Sequence, residues 1–148
     1  MPLILTINAD NLSLRYQCFE MVGEVCLAKG KFDRLNNSIP ELIYERHDGD
    51  SYQLEVPQVT YDNVFSFIPA TLLDKEHGII DDISVIAAVG HCVVHGGVHF
   101  AESQLITPLT EGLIEQNNHL APLHNPFNLK GIRSCRKIMP DTPQVAVF

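Results

Sequence analysis

The chain has 148 residues, of which 45% are hydrophobic and 19% charged, and its formal net charge is -8. This size and composition are ordinary for one globular domain with a sizeable core. The acidic balance argues against a nucleic acid or an anionic membrane as partner, and no apolar run approaches the ~20 residues that span a bilayer.

The N-terminus and the cysteines indicate the compartment. The segment "MPLILTINAD" has no basic residue before its apolar run and no small-residue cleavage site, which argues against a signal peptide. Cys18, Cys26, Cys92 and Cys135 show no CxxC pair and no regular spacing. We therefore expect reduced thiols and a cytoplasmic location.

The first half of the chain predicts strands. The segments "LILTIN" (3–8) and "LSLRYQCFE" (12–20) flank a polar turn, which predicts a β-hairpin. "EVCLAKGKFDRL" predicts a third strand, since Gly30 interrupts any helical pattern. "ELIYERHDGDSYQLEVPQV" alternates on both sides of Asp48-Gly49-Asp50, so we expect a second hairpin there.

The second half mixes helices with strands. "YDNVFSFIPATLLDKE" predicts a helix capped by Asp62, which Pro69 can kink or split. "ISVIAAVGHCVVHGG" is nearly all apolar, as is typical of a strand buried on both faces. Thr107-Pro108 and Asn125-Pro126 each begin a helix, and "QVAVF" is a final strand. The order indicates an α/β domain with a mixed sheet.

The stretch "VGHCVVHGGVHF" (89–100) brings together three histidines and a cysteine. On a strand that rises about 3.3 Å per residue, His91 and His95 are roughly 13 Å apart, too far to share one ion. Neighbours on a strand point to opposite faces, so His91 does not serve Cys92 as a base. No lysine or arginine between Lys75 and Lys130 lowers the thiol pKa. A metal site and a nucleophile are therefore less favoured than a structural strand ending in a glycine turn.

Longer motifs resemble a known family. "VGHCVVHGG" resembles the acetate kinase signature G-H-R-V-V-H-G-G, and "LAPLHNPFNLKGI" (120–132) is similar to L-A-P-L-H-N-P-A-N-L-x-G-I. "INADNLSLRYQ" (7–17) resembles I-N-A-G-S-S-S-L-K-Y-Q, and "QVAVF" resembles the strand that runs into D-T-x-F-H. The matches occur in family order and cover the chain from Ile4 to Phe148.

The resemblance implies a fold and a reaction. It implies one lobe of the actin-like, ribonuclease-H-like type, with a mixed sheet flanked by helices, and residues 1–148 correspond to the N-terminal lobe alone. The family transfers the γ-phosphoryl group of ATP to acetate with magnesium, giving acetyl phosphate and ADP. Propionate is the alternative acceptor, and the motifs favour acetate. Family members form homodimers largely through the second lobe.

The resemblance also implies residue roles on the nucleotide side. Asn8 would help to hold the magnesium ion and its water. The turn that follows would offer backbone N–H groups to phosphate, with Ser13 and Arg15 nearby and Arg15 in the place of a lysine. The alternative for Asn8 is a simple turn residue.

On the substrate side, the resemblance places Val94 and Leu123 in a small apolar pocket for the acetate methyl group. His124 would donate a hydrogen bond to the transferring phosphoryl group. As alternatives, Val94 and Leu123 are expected in the core in any case, and His124 could cap the next helix.

Three departures from the family weaken the expected chemistry. Asp10-Asn11-Leu12 stands where the family has Gly-Ser-Ser, and an aspartate at ~5 Å repels each phosphate charge by roughly 3 kcal/mol at an effective dielectric of about 20. Cys92 replaces an arginine that would bind the substrate carboxylate and phosphoryl oxygens, so the five donors of a guanidinium are lost. The sequence ends at Phe148, before the family's catalytic aspartate and the whole second lobe.

We therefore expect a truncated and inactive acetate kinase-like lobe that binds ATP and magnesium poorly. The alternative is a non-catalytic binding or assembly module, which a separate C-terminal half could complement. A third interpretation, an intact enzyme cut at an artificial boundary, would leave Asp10, Asn11 and Cys92 unexplained.

Overall fold

A computed structural model describes residues 2–10, 12–35, 39–93 and 102–148. In these ranges the chain forms one mixed eight-stranded sheet and three α-helices. The strands are β1 (Leu3–Ala9), β2 (Leu14–Glu20), β3 (Val25–Asp33), β4 (Glu41–Arg46), β5 (Ser51–Glu55), β6 (Ile86–Cys92), β7 (Gln104–Leu105) and β8 (Gln144–Val147). The helices are α1 (Val64–Leu73), α2 (Pro108–Gln116) and α3 (Asn125–Ile138). None of these helices is both long and apolar enough to cross a bilayer.

The first five strands form an antiparallel meander in which β1 pairs with β2, β2 with β3, β3 with β4 and β4 with β5. Both predicted hairpins and the third strand are confirmed. Gly49 lies in the β4–β5 turn with φ of +93°, a conformation that residues with a Cβ rarely adopt. Alternating polar and apolar residues set this part of the fold.

The other half of the sheet is mostly parallel. Its strand order, β5-β4-β3-β2-β1-β6-β8-β7, places β6 beside β1 and β8 beside β6, both parallel to their neighbour. The short strand β7 closes the edge antiparallel to β8. Parallel neighbours need long connections, and α1 lies between β5 and β6 while α2 and α3 lie between β6 and β8.

The helices cover one face of the sheet, and there the core lies. Helices α1 and α3 contact each other, while α1 also packs on β3 and α3 on β1 and β6. In β6, Ile86 and Val89 are buried while Ala87 and Cys92 are exposed, so the predicted burial of this strand on both faces is wrong. The reason is that no described helix packs on the second face, which stays open.

The helix ends agree with the sequence prediction in two of three cases. Helix α2 begins after Thr107, whose hydroxyl accepts a hydrogen bond from the Thr110 amide (3.2 Å), and α3 begins at Asn125 as expected. The predicted cap at Asp62 is wrong, because the cap position of α1 is Asn63 and Asp62 instead pairs with Lys130. Pro69 lies inside α1 without splitting it, since the helix continues to Leu73.

Candidate functional site

The open face of the sheet forms a cavity of about 680 Å³, a volume typical of small-molecule sites. Residues of β1, β2, β3, β4, β6 and β8 line it, and the exposed side chains among them point away from the helices. The cavity therefore crosses the boundary between the antiparallel and the parallel halves of the sheet.

Three of the predicted site residues lie together in this cavity, namely Asn8 on β1, Arg15 on β2 and Cys92 on β6. Asn8 and Arg15 are direct cross-strand partners. Ile7 on β1 pairs with His91 on β6, and the two strands are parallel. The next residue on each strand, Asn8 on β1 and Cys92 on β6, therefore lies beside the other. Asn8 is thus a strand residue with an exposed side chain, and its interpretation as a simple turn residue is wrong.

The cavity also revises the setting of Cys92. The thiol is exposed, and the buried His91 ring lies on the opposite face of β6, as strand geometry predicts. However, the sheet brings the Arg15 guanidinium into the same cavity from two strands away, about 10 Å at the usual strand spacing. Cys92 therefore has a cation in the same cavity, although no lysine or arginine lies near it in the sequence.

The structure does not place the other predicted residues on the cavity lining. Ser13 lies in the β1–β2 connection, while Leu123 and His124 precede α3. Leu123 is 56% exposed, so the expectation that it is a core residue is wrong. His124 occupies the cap position of α3, but its side chain makes no capping hydrogen bond there. Val94 lies outside the described residues, as do Asn11, His95, the pair at 96–97 and His99.

A buried hydrogen bond nevertheless ties the start of α3 to the end of β1. The Asn128 side-chain amide donates to the Ala9 carbonyl at 2.8 Å. Asn128 lies one helical turn after His124, and the backbone N–H of Asn128 donates to the His124 carbonyl at 2.9 Å. Leu123 and His124 are therefore held near the end of the strand that carries Asn8.

The connection after β1 is organised around the Asp10 carboxylate. Its Oδ1 accepts hydrogen bonds from the backbone amides of Leu12 (2.7 Å) and Ser13 (2.8 Å), and the Asp10 amide donates to the Ser13 carbonyl (2.9 Å). These amides belong to the turn whose N–H groups the family resemblance assigns to phosphate. Because a carboxylate oxygen already faces them, the turn carries an anion of its own.

His91 has a structural role beneath the site. Its Nε2 is 2.6 Å from the Gln144 Oε1, which joins β6 to β8, and the Gln144 amide donates to the Ile132 carbonyl on α3 (3.2 Å). Burial lowers the pKa of the His91 imidazole to about 4, so the ring is neutral at physiological pH. The neutral ring donates from Nε2 to the glutamine oxygen, and this chain of bonds fixes the strand that carries Cys92.

Sequence reasoning missed the lysines of the cavity. Lys29 and Lys31 on β3 line it beside Arg15, so three cations share one face of an acidic chain. Lys29 lies 3.3 Å from Glu45, and Lys31 lies 3.5 Å from Asp33. The strand register could have revealed them, since the β2–β3 hairpin places Arg15 opposite Lys31.

The described residues do not form a resident magnesium site. Magnesium in proteins is held by one or two carboxylates together with substrate phosphates. Asn8 supplies a single amide oxygen, and no group of three His, Cys, Asp or Glu residues in the described ranges could hold an ion. A magnesium ion in this cavity would therefore need ligands that arrive with bound phosphates.

Comparison with known proteins identifies the family. The model of the acetokinase family matches residues 3–148. The chain belongs to the acetokinase family. Acetate kinase of Clostridium botulinum strain Hall is 43% identical over 145 residues, which are 98% of this chain and 36% of that relative. The chain thus spans little more than a third of the length of this acetokinase relative.

Solved acetokinase structures agree with this assignment. Acetate kinase of Porphyromonas gingivalis superimposes with a TM-score of 0.91 at 35% identity, covering 100% of this chain and 37% of that one. A propionate kinase of Francisella tularensis gives a TM-score of 0.87 at 30% identity, with the same coverage of 100% and 37%. The expected α/β fold, an actin-like, ribonuclease-H-like lobe with a mixed sheet, is confirmed.

Proposed function

We propose that this chain forms the phosphate- and carboxylate-facing lobe of an acetate kinase-like phosphotransferase. Its ligands would be ATP with magnesium and acetate or another short carboxylate. The observation that carries the proposal is the common placement of Asn8, Arg15 and Cys92 on one open cavity in a chain of the acetokinase family.

The proposed roles are those that the family resemblance implies, and they suit the chemistry of phosphoryl transfer, which depends on positioning and on neutralising charge. The Arg15 guanidinium binds phosphate oxygens, and Asn8 offers an oxygen to an ion that arrives with the phosphates. Ser13 adds a hydroxyl donor from the β1–β2 connection, outside the cavity lining. Leu123 contacts the methyl group of the carboxylate together with Val94. His124, whose ring is not used for capping, donates to the transferring phosphoryl group.

Two features of the chain, one in the cavity and one in the β1–β2 connection, support the proposal that the 148-residue chain alone does not catalyse the transfer. A thiol at position 92 is a weak donor where the family has a guanidinium, and losing such a clamp typically costs 10³-fold or more in comparable systems. The Asp10 carboxylate also occupies two amides of the neighbouring turn. Two groups that would face the transferring phosphoryl are therefore weakened in this chain.

A coupled ADP-release assay with acetate and magnesium-ATP tests the catalytic statement, with a full-length acetate kinase as reference. We expect no turnover above background from the 148-residue chain, and turnover near that of the reference would overturn this statement.

Titration calorimetry with magnesium-ATP tests the site separately. Arg15→Gln should weaken binding about tenfold, whereas Lys137→Gln on the exposed side of α3 should leave it unchanged. Equal effects of the two variants on the affinity for magnesium-ATP would contradict the assignment of Arg15 to the phosphate site.

A second candidate function is assembly with another polypeptide. Leu105 on β7 is 60% exposed and Val147 on β8 is 45% exposed, so the edge of the sheet presents apolar side chains. A partner equivalent to the remaining length of the relatives would cover them. A neighbouring reading frame that resembles this remainder would support the idea. A lone, well-folded monomer in size-exclusion chromatography with light scattering, with no co-purifying polypeptide, would count against it.

A further inference from the structure

We infer that Arg15 and Lys31 together form a phosphate-binding pair on the open face of the sheet. The inference rests on the proposed function for the class of ligand, a polyphosphate chain. It extends that function to Lys31, a residue to which the family resemblance gives no role.

The first argument is the strand register. Arg15 on β2 and Lys31 on β3 are direct cross-strand partners, and both side chains line the open cavity. Directly opposite residues of an antiparallel pair have Cβ atoms about 5 Å apart, and like charges at such positions repel each other. An anion bound between the two side chains removes this repulsion and gains from both charges.

The second argument is that these two cations have weak partners or none. No carboxylate of the described residues lies within 4.0 Å of the Arg15 guanidinium. Lys31 lies 3.5 Å from Asp33, but both side chains are partly exposed (33% and 40%), a setting in which ion pairs contribute little. The Lys29–Glu45 pair (3.3 Å) is exposed as well, but Glu45 itself lines the cavity and offsets the charge of Lys29 there, whereas Asp33 does not line it. The unbalanced charge of the cavity is therefore concentrated at Arg15 and Lys31.

The third argument is the direction of the row of side chains. From Cys92 the row passes Asn8 and Arg15 and reaches Lys31 after three strand spacings, about 14 Å. An elongated anion fits this row better than a lone carboxylate. The guanidinium offers a fork of donors and the ammonium a point charge, which together suit adjacent phosphate groups.

Titration calorimetry at low ionic strength tests the pair on the intact chain, with inorganic tripolyphosphate and with ATP as probes. Lys31→Gln should weaken binding of both about five- to tenfold, and Lys31→Arg should restore it, because the restored positive charge again binds phosphate. The loss should shrink with added salt, since the site is open to solvent. Lys137→Gln is the matched control, because it changes the net charge equally on an exposed side of α3.

The outcomes separate this inference from the proposed function. A loss in Arg15→Gln with none in Lys31→Gln overturns the pair and leaves the proposed function in place. No loss in either variant overturns both. An equal loss of affinity in Lys137→Gln would show an effect of net charge and overturn the pair. A loss of affinity for ATP alone, with tripolyphosphate binding unchanged, would also overturn it, because Lys31 would then not act on the phosphate chain. Circular dichroism of each variant confirms that the fold is kept.

Discussion

Replacing Asp10 by glycine should make the chain bind phosphate-bearing ligands more tightly. In the wild-type chain the Asp10 Oδ1 holds the amides of Leu12 and Ser13 at 2.7 and 2.8 Å. Glycine removes the carboxylate and frees both amides, and it also tolerates the backbone conformations of a tight turn. A phosphate group can then take the place that the carboxylate oxygen has in the wild type.

The expected gain combines two contributions. A hydrogen bond to a charged group contributes about 1.5–3 kcal/mol, and this value falls in an exposed turn. A carboxylate at ~5 Å repels a phosphate charge by roughly 3 kcal/mol at an effective dielectric of about 20, which salt reduces further. The glycine chain must also order a turn that Asp10 braces in the wild type. A net gain of about 1.5–3 kcal/mol, or ~10- to 100-fold in Kd, is therefore expected.

Titration calorimetry with inorganic tripolyphosphate measures this gain, and Asp10→Asn separates its two contributions. Asparagine keeps an acceptor oxygen for the two amides but carries no charge, so its affinity should lie between those of the wild type and Asp10→Gly. Equal affinity of the two variants would show that the occupied amides play no part. If Asp10→Gly keeps its fold and binds no more tightly than the wild type, the whole argument fails.

Three further predictions concern stability and titration. Gly30→Ala should destabilise the chain by about 2–4 kcal/mol in urea unfolding, because a Cβ there would lie below 3.0 Å from the buried Tyr16 ring; Gly112→Ala, with nothing within 4 Å, should instead stabilise α2 by about 0.5–1 kcal/mol. The hydrogen bond to Asp50 raises the pKa of His77, so its stabilisation is complete below pH ~6.5 and is lost as the pH rises through the folded pKa. The thermal midpoint of the wild type should therefore approach that of His77→Gln as the pH rises above about 6.5 and through the raised pKa of His77, and a constant difference would contradict this. His91, with its pKa lowered to about 4, should show no imidazole titration by NMR near pH 6.5, and its contribution to stability should decline as the pH falls from about 6.5 towards 4.

The antiparallel half of the fold could be predicted from the sequence alone because alternation with a period of two is a local property. The central strand β6 could not be predicted as well, since its small apolar residues suit either a buried face or an open one. Ala87 and Gly90 carry little information about what covers them, and the coverage depends on helices far along the chain. Leu123 was misplaced for a related reason, because it lies in a connection where no periodic pattern distinguishes core from surface.

The candidate site required a different kind of information. Asn8 and Arg15 were singled out only through the family resemblance, and the strand register then placed them beside Cys92. Lys31 has no counterpart among the quoted motifs, so it became visible only as the cross-strand partner of Arg15. Residues that meet across strands are separated along the chain, and only the register of the hairpin brings them together.

The bond from Asn128 to Ala9 has a mechanical consequence for the molecule. It joins the first turns of α3 to the last residue of β1 in a place that is closed to water, since both residues are buried. The bond couples the start of α3 to the end of β1, so a displacement of one element is transmitted to the other at this point. We therefore expect the spacing between Asn8 on β1 and His124 at the start of α3 to stay constant while this bond is kept.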